Sequence, residues 1–142
     1  MDVSLGAVTV EEGFKAQKWD ILGQIYTPLH VTQTSFAIHA VFPAGTFVPR
    51  HIHDTQDEFF HMLEGTMVFE LDGKEITAGP GTHLTMPMGV PHAIYNRSDR
   101  DVTALVVVSP TRRFYEYMQK IDGMTDRDEM ARLAAVHEVP FV

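Results

Sequence analysis

Short apolar stretches of strand length alternate with turns that contain glycine or proline through the middle of the chain. Within these stretches, apolar side chains recur at every second position or run continuously, the patterns typical of half-buried and fully buried β-strands. The predicted strands cover residues 34–42, 66–71, 74–78, 82–86 and 102–109. Many short strands at such regular spacing predict an antiparallel sandwich or barrel.

The chain departs from this pattern at its beginning. Residues 1–32 contain apolar pieces at 7–10 and 19–26, separated by charged residues and glycine. These pieces fit two arrangements, outer strands of the sheet or an arm that reaches a second subunit, and the sequence does not choose between them. We therefore treat 1–32 as an arm or outer-strand segment and 33–110 as the β domain.

Residues 111–142 change to helical spacing. Apolar residues three or four positions apart predict a helix over 111–121. Thr125, with an acidic residue three positions on, resembles a capping box and predicts a second helix through about residue 135. These helices either cover the outside of the β domain or form a lid over its open end.

Composition excludes several classes of function. The 142 residues correspond to one domain, with 19 acidic against 11 basic residues and a formal net charge of -8. No cluster of Lys or Arg offers a surface for nucleic acid. The absence of cysteine excludes disulfides and thiolate ligands and is compatible with a reducing compartment. No apolar run is long enough to span a membrane, and the first residues lack signal-peptide features. We therefore expect a cytoplasmic protein without nucleic-acid or membrane partners.

The candidate chemistry begins in the stretch 45–65, GTFVPRHIHDTQDEFFHMLEG. His51 and His53 are two residues apart, so in an extended strand their imidazoles stand on the same face. Polar, turn-forming residues follow, and a return strand that starts at Glu58 brings its carboxylate opposite the two histidines. The stretch therefore predicts two imidazoles and one carboxylate in one cavity.

A further imidazole comes from the stretch 81–96, GTHLTMPMGVPHAIYN. His92 follows a Pro-x-Gly turn and opens a strand-like run, so its ring can enter the same cavity. A single histidine in a strand is usually structural, but the joint spacing of His51, His53 and His92 favours a metal site. Three imidazoles and a carboxylate suit Fe, Mn, Ni, Cu or Zn and do not select among them. For Glu58 the roles of metal ligand and catalytic base both stay open.

The two stretches resemble the two motifs of the cupin superfamily. The first motif, G-x5-H-x-H-x4-E-x6-G, is matched by Gly45, His51, His53, Glu58 and Gly65. The second motif, G-x5-P-x-G-x2-H-x3-N, is matched by Gly81, Pro87, Gly89, His92 and Asn96. Family members often have Asp where Thr82 stands, a departure that concerns a turn.

The resemblance implies an all-β fold, the double-stranded β-helix or cupin jelly-roll barrel, over residues 33–110 with C-terminal helices after it. It also implies a divalent transition metal, a small-molecule ligand and a homodimer. The implied metal ligands are His51, His53, Glu58 and His92. The outer-face residues with the right phase for a dimer contact are Phe59, His61 and Leu63.

The resemblance extends loosely to quercetinase-like cupins. It implies a metal-dependent oxygenase of a small aromatic or enolic compound, with Glu58 as the catalytic residue. The alternatives are a metal-dependent isomerase or lyase acting on a sugar or keto acid, and a non-catalytic cupin that binds a small ligand.

Apolar residues in phase with the ligands, or beside them, predict a pocket for an apolar compound rather than a heavily hydroxylated sugar. The predicted pocket residues are Phe47, Phe60, Met62, Met86 and Ile94. Asp57 is either a hydrogen-bond partner of a ligand imidazole or a solvated turn residue.

Overall fold

The computed structural model describes residues 3–142, and within that range it contains ten strands, two α-helices and a 3-10 turn. The strands are β1 Trp19–Ile21, β2 Gln24–Val31, β3 Phe36–Phe42, β4 Phe47–His51, β5 Asp57–Glu64, β6 Met67–Leu71, β7 Lys74–Ala78, β8 His83–Met86, β9 His92–Tyr95 and β10 Val102–Ser109. The helices are α1 Phe114–Ile121 and α2 Arg127–Val136, and the 3-10 turn is Phe14–Ala16. Two predicted strands have their predicted bounds, and the other three begin one or two residues late.

Two antiparallel sheets form the barrel. Six strands pair in the order β1-β2-β3-β10-β5-β8, and four pair in the order β4-β9-β6-β7. Many strands that are neighbours in a sheet are far apart in the sequence. This order, in which connections cross between the sheets, is typical of a jelly roll. The expected jelly-roll architecture, all-β with C-terminal helices, is therefore confirmed.

The core lies between the two sheets. Along β10, buried and half-buried residues alternate, as a strand with one inward face requires. The largest fully buried apolar side chains are Phe36, Phe42, Phe69, Ile38, Met62, Met67, Met86 and Met130. Burial of each such side chain stabilises the fold by about 1.5–3 kcal/mol. The barrel is thus held by apolar packing over most of its length.

The predicted hairpin turn at Asp72-Gly73 joins β6 to β7. Both residues have positive φ, 50° and 82°, the combination that a type I′ turn requires. Gly65, the last glycine of the first motif, also has a positive φ of 82°. A Cβ atom at Gly65 would lie 2.8 Å from Cγ2 of Val102, so a side chain does not fit there.

The first strands extend the six-stranded sheet. β1 and β2 lie beyond β3 at one side of that sheet, so residues 19–31 are outer strands rather than a free arm. Trp19 packs edge to face on Phe36, with ring centroids 6.1 Å apart. The apolar piece at 7–10 forms no strand. Residues 1 and 2 of the predicted arm segment lie outside the described range.

The C-terminal helices close the barrel on one side. α1 begins at Phe114, three residues later than predicted. Asp126 caps α2, because its Oδ1 accepts the backbone N–H groups of Asp128 and Glu129, each at 3.1 Å. The cap predicted at Thr125 is therefore wrong by one residue. Aspartate and threonine are both common N-cap residues, so the sequence alone did not distinguish these two neighbours. Within residues 3–142 neither helix is long and apolar enough to cross a bilayer.

Candidate metal centre

Four buried polar side chains meet inside the barrel. His51 ends β4, His53 lies two residues beyond it, Glu58 is on β5, and His92 begins β9. The pairing of β4 with β9 places His51 opposite His92. One candidate ligand atom from each of the four lies within 4.8 Å of the other three. The structure thus brings together the residues predicted as metal ligands, and this group, called the imidazole–carboxylate group below, can hold an ion.

Backbone carbonyls orient two of the three imidazoles. Nδ1 of His51 lies 2.8 Å from the carbonyl oxygen of Pro49, and Nδ1 of His92 lies 3.1 Å from that of Val90. Because a carbonyl oxygen only accepts, each Nδ1 carries a proton and donates it. In the neutral ring Nε2 then has a free lone pair, which is the state of a histidine that binds metal.

A buried glutamine orients the third imidazole. Nε2 of Gln56 donates to the carbonyl oxygens of Pro110 and Thr111, at 3.0 and 2.7 Å. These two bonds allow one orientation of the amide, so Oε1 of Gln56 accepts from Nδ1 of His53 at 2.8 Å. Such outer partners hold the ring and the tautomer of a metal-binding histidine.

Gln56 contacts the imidazole–carboxylate group and is a residue that sequence reasoning missed. Asp57 was considered for this role, but its Oδ1 accepts the backbone N–H of Met88 at 3.0 Å in an exposed turn. Asp57 is half-buried at the start of β5 and its carboxylate holds the turn at Met88, so it matches neither the imidazole partner nor the solvated turn residue that the sequence suggested. Four consecutive polar residues, 54–57, precede the inward-facing Glu58, and nothing in the sequence distinguishes the one that turns inward.

Replacing Gln56 with alanine should weaken metal binding without removing it. The change deletes the acceptor for Nδ1 of His53, and loss of such a partner typically lowers metal affinity on the order of 10–100-fold. A competition titration against a chelating indicator measures the affinity. The Asp57→Asn variant is the matched control and should keep the affinity of the wild type. Equal affinity in Gln56→Ala and wild type would contradict the positioning role.

The donor set fits a divalent metal. Nε2 of His53 is buried and has no hydrogen-bond partner among the described residues. It lies 3.4 Å from Oε2 of Glu58, while Oε1 of Glu58 lies 2.9 Å from Nε2 of His92. An unpaired buried polar atom costs about 1–3 kcal/mol, and a cation among the four groups satisfies it. Nitrogen and oxygen donors without thiolate suit first-row divalent ions.

Burial and mutual charge set the pKa values in the group. Burial, followed by the neighbouring His92 and His53, lowers the pKa of His51 to about 3. Burial also lowers the pKa of His53. For Glu58, burial acts to raise the pKa, but His53 and the hydrogen bond from His92 bring it down to about 2. For His92, burial acts to lower the pKa, but the hydrogen bond and charge of Glu58 outweigh it, and the pKa is raised.

The metal-free protein should be most stable near pH 6.5, because histidines in the unfolded chain titrate at about that pH. Below this pH the unfolded chain binds protons at His51 and His53 that the folded protein does not. The free energy of unfolding therefore falls by up to about 1.4 kcal/mol per pH unit for each histidine. Above it, the folded protein keeps a proton on His92 that the unfolded chain loses, so the free energy of unfolding falls again. Urea unfolding across this range measures the curve, and a steady rise with pH would contradict it.

An apolar cavity of about 70 Å³ adjoins the imidazole–carboxylate group. Its wall includes His51 and Glu58, so the group faces the cavity directly. Of the predicted pocket residues, Phe60 and Ile94 line this cavity. Met62 and Met86 are fully buried in the core but are not part of the wall.

Phe47 points away from the cavity, contrary to the prediction. Its side chain is 39% exposed and stacks on Tyr95, with ring centroids 6.2 Å apart. The neighbouring Val48 lines the cavity instead. The pairing of β4 with β9 shifts register between Val48 and His51, so alternation counted back from His51 does not hold. A bulge of this kind exchanges the inner and outer faces of a strand.

Part of the cavity wall comes from outside both motifs. The ring of Phe114 on α1 packs against His53, with centroids 5.0 Å apart at 64°. Tyr26 on β2 and Tyr117 on α1 also line the cavity. Burial raises the pKa of both tyrosines, so both are protonated phenols at neutral pH. The helices therefore contribute to the cavity wall, and the lid interpretation stays a prediction.

The residues named for a dimer contact lie on the outer face of β5. Phe59 is half-buried, and His61 and Leu63 are exposed. The face is thus available to a second copy, and the homodimer stays a prediction.

Curated relatives share part of their length with this chain. It is 32% identical over 98 residues to quercetin 2,3-dioxygenase of Bacillus subtilis, and the aligned region covers 68% of this chain and 28% of that protein. It is 37% identical over 75 residues to the dimethylsulfoniopropionate lyase DddQ of Ruegeria pomeroyi, and the aligned region covers 51% of this chain and 36% of the lyase. The chain spans between 28% and 58% of the length of the curated relatives that it matches.

The fold and the family are shown by two further comparisons. An RmlC-like cupin from Shewanella frigidimarina superimposes with a TM-score of 0.72 at 20% identity, over 81% of this chain and 99% of that one. The family described as the cupin domain matches residues 38–108, half of the chain and the part that carries both motifs. The chain therefore belongs to the cupin domain family.

Proposed function

We propose that this cupin is a metal-dependent oxygenase of a small aromatic or enolic compound. The observation that carries the proposal is that the imidazole–carboxylate group opens directly onto an apolar cavity, with His51 and Glu58 belonging to both. A divalent transition metal held by the four side chains of the group would supply redox chemistry with dioxygen and a Lewis-acid contact for a chelating substrate. Similarity to a dioxygenase over 98 residues supports the same reaction class.

The cavity selects its occupant by size and polarity. Its volume of about 70 Å³ is well below the roughly 300–1,000 Å³ of pockets that take drug-sized ligands. It is several times the roughly 10–15 Å³ that one water needs. This space favours a short open-chain compound or, with adjustment of the wall, a single ring over a three-ring flavonol. Phe60, Ile94 and Phe114 give the cavity wall an apolar surface beside the imidazole–carboxylate group.

Glu58 is the residue we propose for proton transfer. It is the carboxylate of the imidazole–carboxylate group, and its pKa of about 2 keeps it ionised at neutral pH. Its two oxygens lie 2.9 Å from Nε2 of His92 and 3.4 Å from Nε2 of His53, so both are within reach of an ion held by those imidazoles. We propose that one of these oxygens binds the ion while the other accepts the proton of an enolic substrate.

Oxygen uptake tests the proposal. The protein is purified without added metal, its metal content is measured, and it is then supplied with 1,3-diketones, catechols and a flavonol. We expect a redox-active metal and oxygen consumption with the smaller compounds, and little or none with the flavonol. Bound zinc with no oxygen uptake on any compound would contradict the proposal. Ligand-induced thermal stabilisation without turnover would then identify a binding protein.

A lyase is the second candidate function. The observation that favours it is 37% identity over 75 residues to a dimethylsulfoniopropionate lyase. A metal held by the group would then supply only Lewis-acid chemistry, and Glu58 would again take the proton that elimination removes. Activity that persists in rigorously anaerobic buffer distinguishes this reaction from oxygenation.

A further inference from the structure

Two histidines outside the imidazole–carboxylate group face each other on the surface of the barrel. His61 lies on β5 and His83 on β8, the strand at the edge of the six-stranded sheet. Their Cα atoms are partners in the β5–β8 register, and both side chains are exposed. Glu58 and Phe60 on β5 face the interior, so His61 points to the opposite side. The pair is therefore independent of the cavity.

The separation of the two ring nitrogens is close to that of two ligands on one tetrahedral ion. Nδ1 of His61 lies 3.3 Å from Nδ1 of His83. Two zinc–nitrogen bonds of about 2.0–2.1 Å at a tetrahedral angle of about 109° place their nitrogens about 3.3–3.4 Å apart. A square-planar ion with the same bond lengths needs a separation of only about 2.9 Å. The observed spacing is therefore compatible with tetrahedral zinc without a large movement of either ring.

Both rings are held in place before any ion binds. Phe59 stacks on His83, with centroids 6.2 Å apart and planes 22° from parallel. The two imidazoles share one hydrogen bond, in which one Nδ1 donates a proton to the other. When an ion binds, the donating ring carries its proton on Nε2 instead of Nδ1, so that both Nδ1 lone pairs face the ion and both rings stay neutral. Because the rings are already ordered, little side-chain entropy is lost on binding.

We propose that His61 and His83 form a second, surface zinc site with two imidazole ligands and two positions left to water. An ion here joins the edge strand β8 to β5, the strand that carries Glu58. Zinc bound only by the folded protein stabilises it by mass action. The site does not depend on the function proposed for the cavity.

Zinc titration of the full-length protein tests the site. The baseline is the double variant His51→Ala/His92→Ala, because it leaves only one imidazole and one carboxylate in the buried group. Zinc binding by calorimetry is compared after adding His61→Ala, His83→Ala or Thr85→Ala. Two linked ligands bind far more tightly than one, so loss of either histidine should weaken the remaining zinc binding on the order of 100-fold. It should also remove the zinc-dependent rise in thermal midpoint.

Thr85 supplies the matched control. It is exposed on β8 two residues from His83, and it is not among the proposed ligands. Thr85→Ala in the same background should therefore bind zinc as the baseline does. If the baseline binds no zinc, or if His61→Ala and His83→Ala bind it as well as the baseline does, the proposal is overturned.

Discussion

Replacing His51 with alanine should abolish stoichiometric metal binding while the barrel stays folded. The change removes one of three imidazoles and leaves the ion with two, plus a carboxylate. Removing even an outer partner of a ligand lowers affinity on the order of 10–100-fold, and loss of the ligand itself should exceed that. Elemental analysis after gel filtration measures the metal that remains on the protein.

The fold should survive the His51 change for a specific reason. The hydrogen bond from His51 to Pro49 is lost, which costs about 1 kcal/mol. The apolar core between the sheets is untouched, so far-ultraviolet circular dichroism should stay close to that of the wild type. The matched control is His39→Ala, a half-buried histidine on β3 outside the group, which should keep its metal. Full occupancy in His51→Ala would refute the site.

Replacing Glu58 with glutamine should lower turnover by at least about 100-fold, since a positioned acid or base contributes roughly 10²–10⁴-fold. Glutamine keeps the size and most hydrogen-bonding capacity of glutamate but removes the charge and the proton acceptor. The metal also loses its anionic ligand, so activity is measured at saturating metal. The neighbouring Asp57→Asn is the control, because it removes a carboxylate from the exposed turn and should leave turnover unchanged.

The Glu58→Gln variant also has a readout that does not depend on activity. In the metal-free protein, Glu58 raises the pKa of His92 through a hydrogen bond and through its charge. In Glu58→Gln the charge is gone, while burial still disfavours the imidazolium, so the pKa of His92 should fall. Titration of the His92 ring resonances by NMR measures the shift. An unchanged pKa would mean that the two groups are not coupled as the geometry requires.

The imidazole–carboxylate group and the helical cover are physically connected. Gln56 holds His53 with one end of its amide and the chain just before α1 with the other. Phe114, the first residue of α1, packs on the same histidine. Movement of α1 to admit a substrate therefore also disturbs the partners of His53. We expect loading of the cavity and the strength of metal binding to be coupled for this reason.

The ligand group could be predicted from sequence because its signals are local. His51 and His53 are two residues apart on one strand, and the spacing of Glu58 and His92 within their motifs resembles that of a known family. The turn at Asp72-Gly73 could be predicted in the same way, because a type I′ turn requires positive φ at both residues and Asp-Gly pairs adopt it readily. These features depend on a few neighbouring residues.

Predictions failed where the outcome depended on contacts across the chain. Phe47 was assigned inward by counting alternate residues, but a shift in the pairing of β4 with β9 turned it outward and brought Val48 into the cavity. Gln56 was not found because its partners, at Pro110 and Thr111, are more than fifty residues away. The sequence shows neither the bulge nor those partners.

By itself, the sequence determined the strand pattern, the cupin resemblance and the identity of the four candidate ligands, because alternation and motif spacing are properties of short segments. Only the tertiary structure decided which residues wall the cavity, how small that cavity is, and that the C-terminal helices belong to it. These features arise when β2, β4 and α1 pack together, so they depend on the relative placement of elements far apart in the chain. The pairing of His61 with His83 was decided in the same way, by the register between β5 and β8.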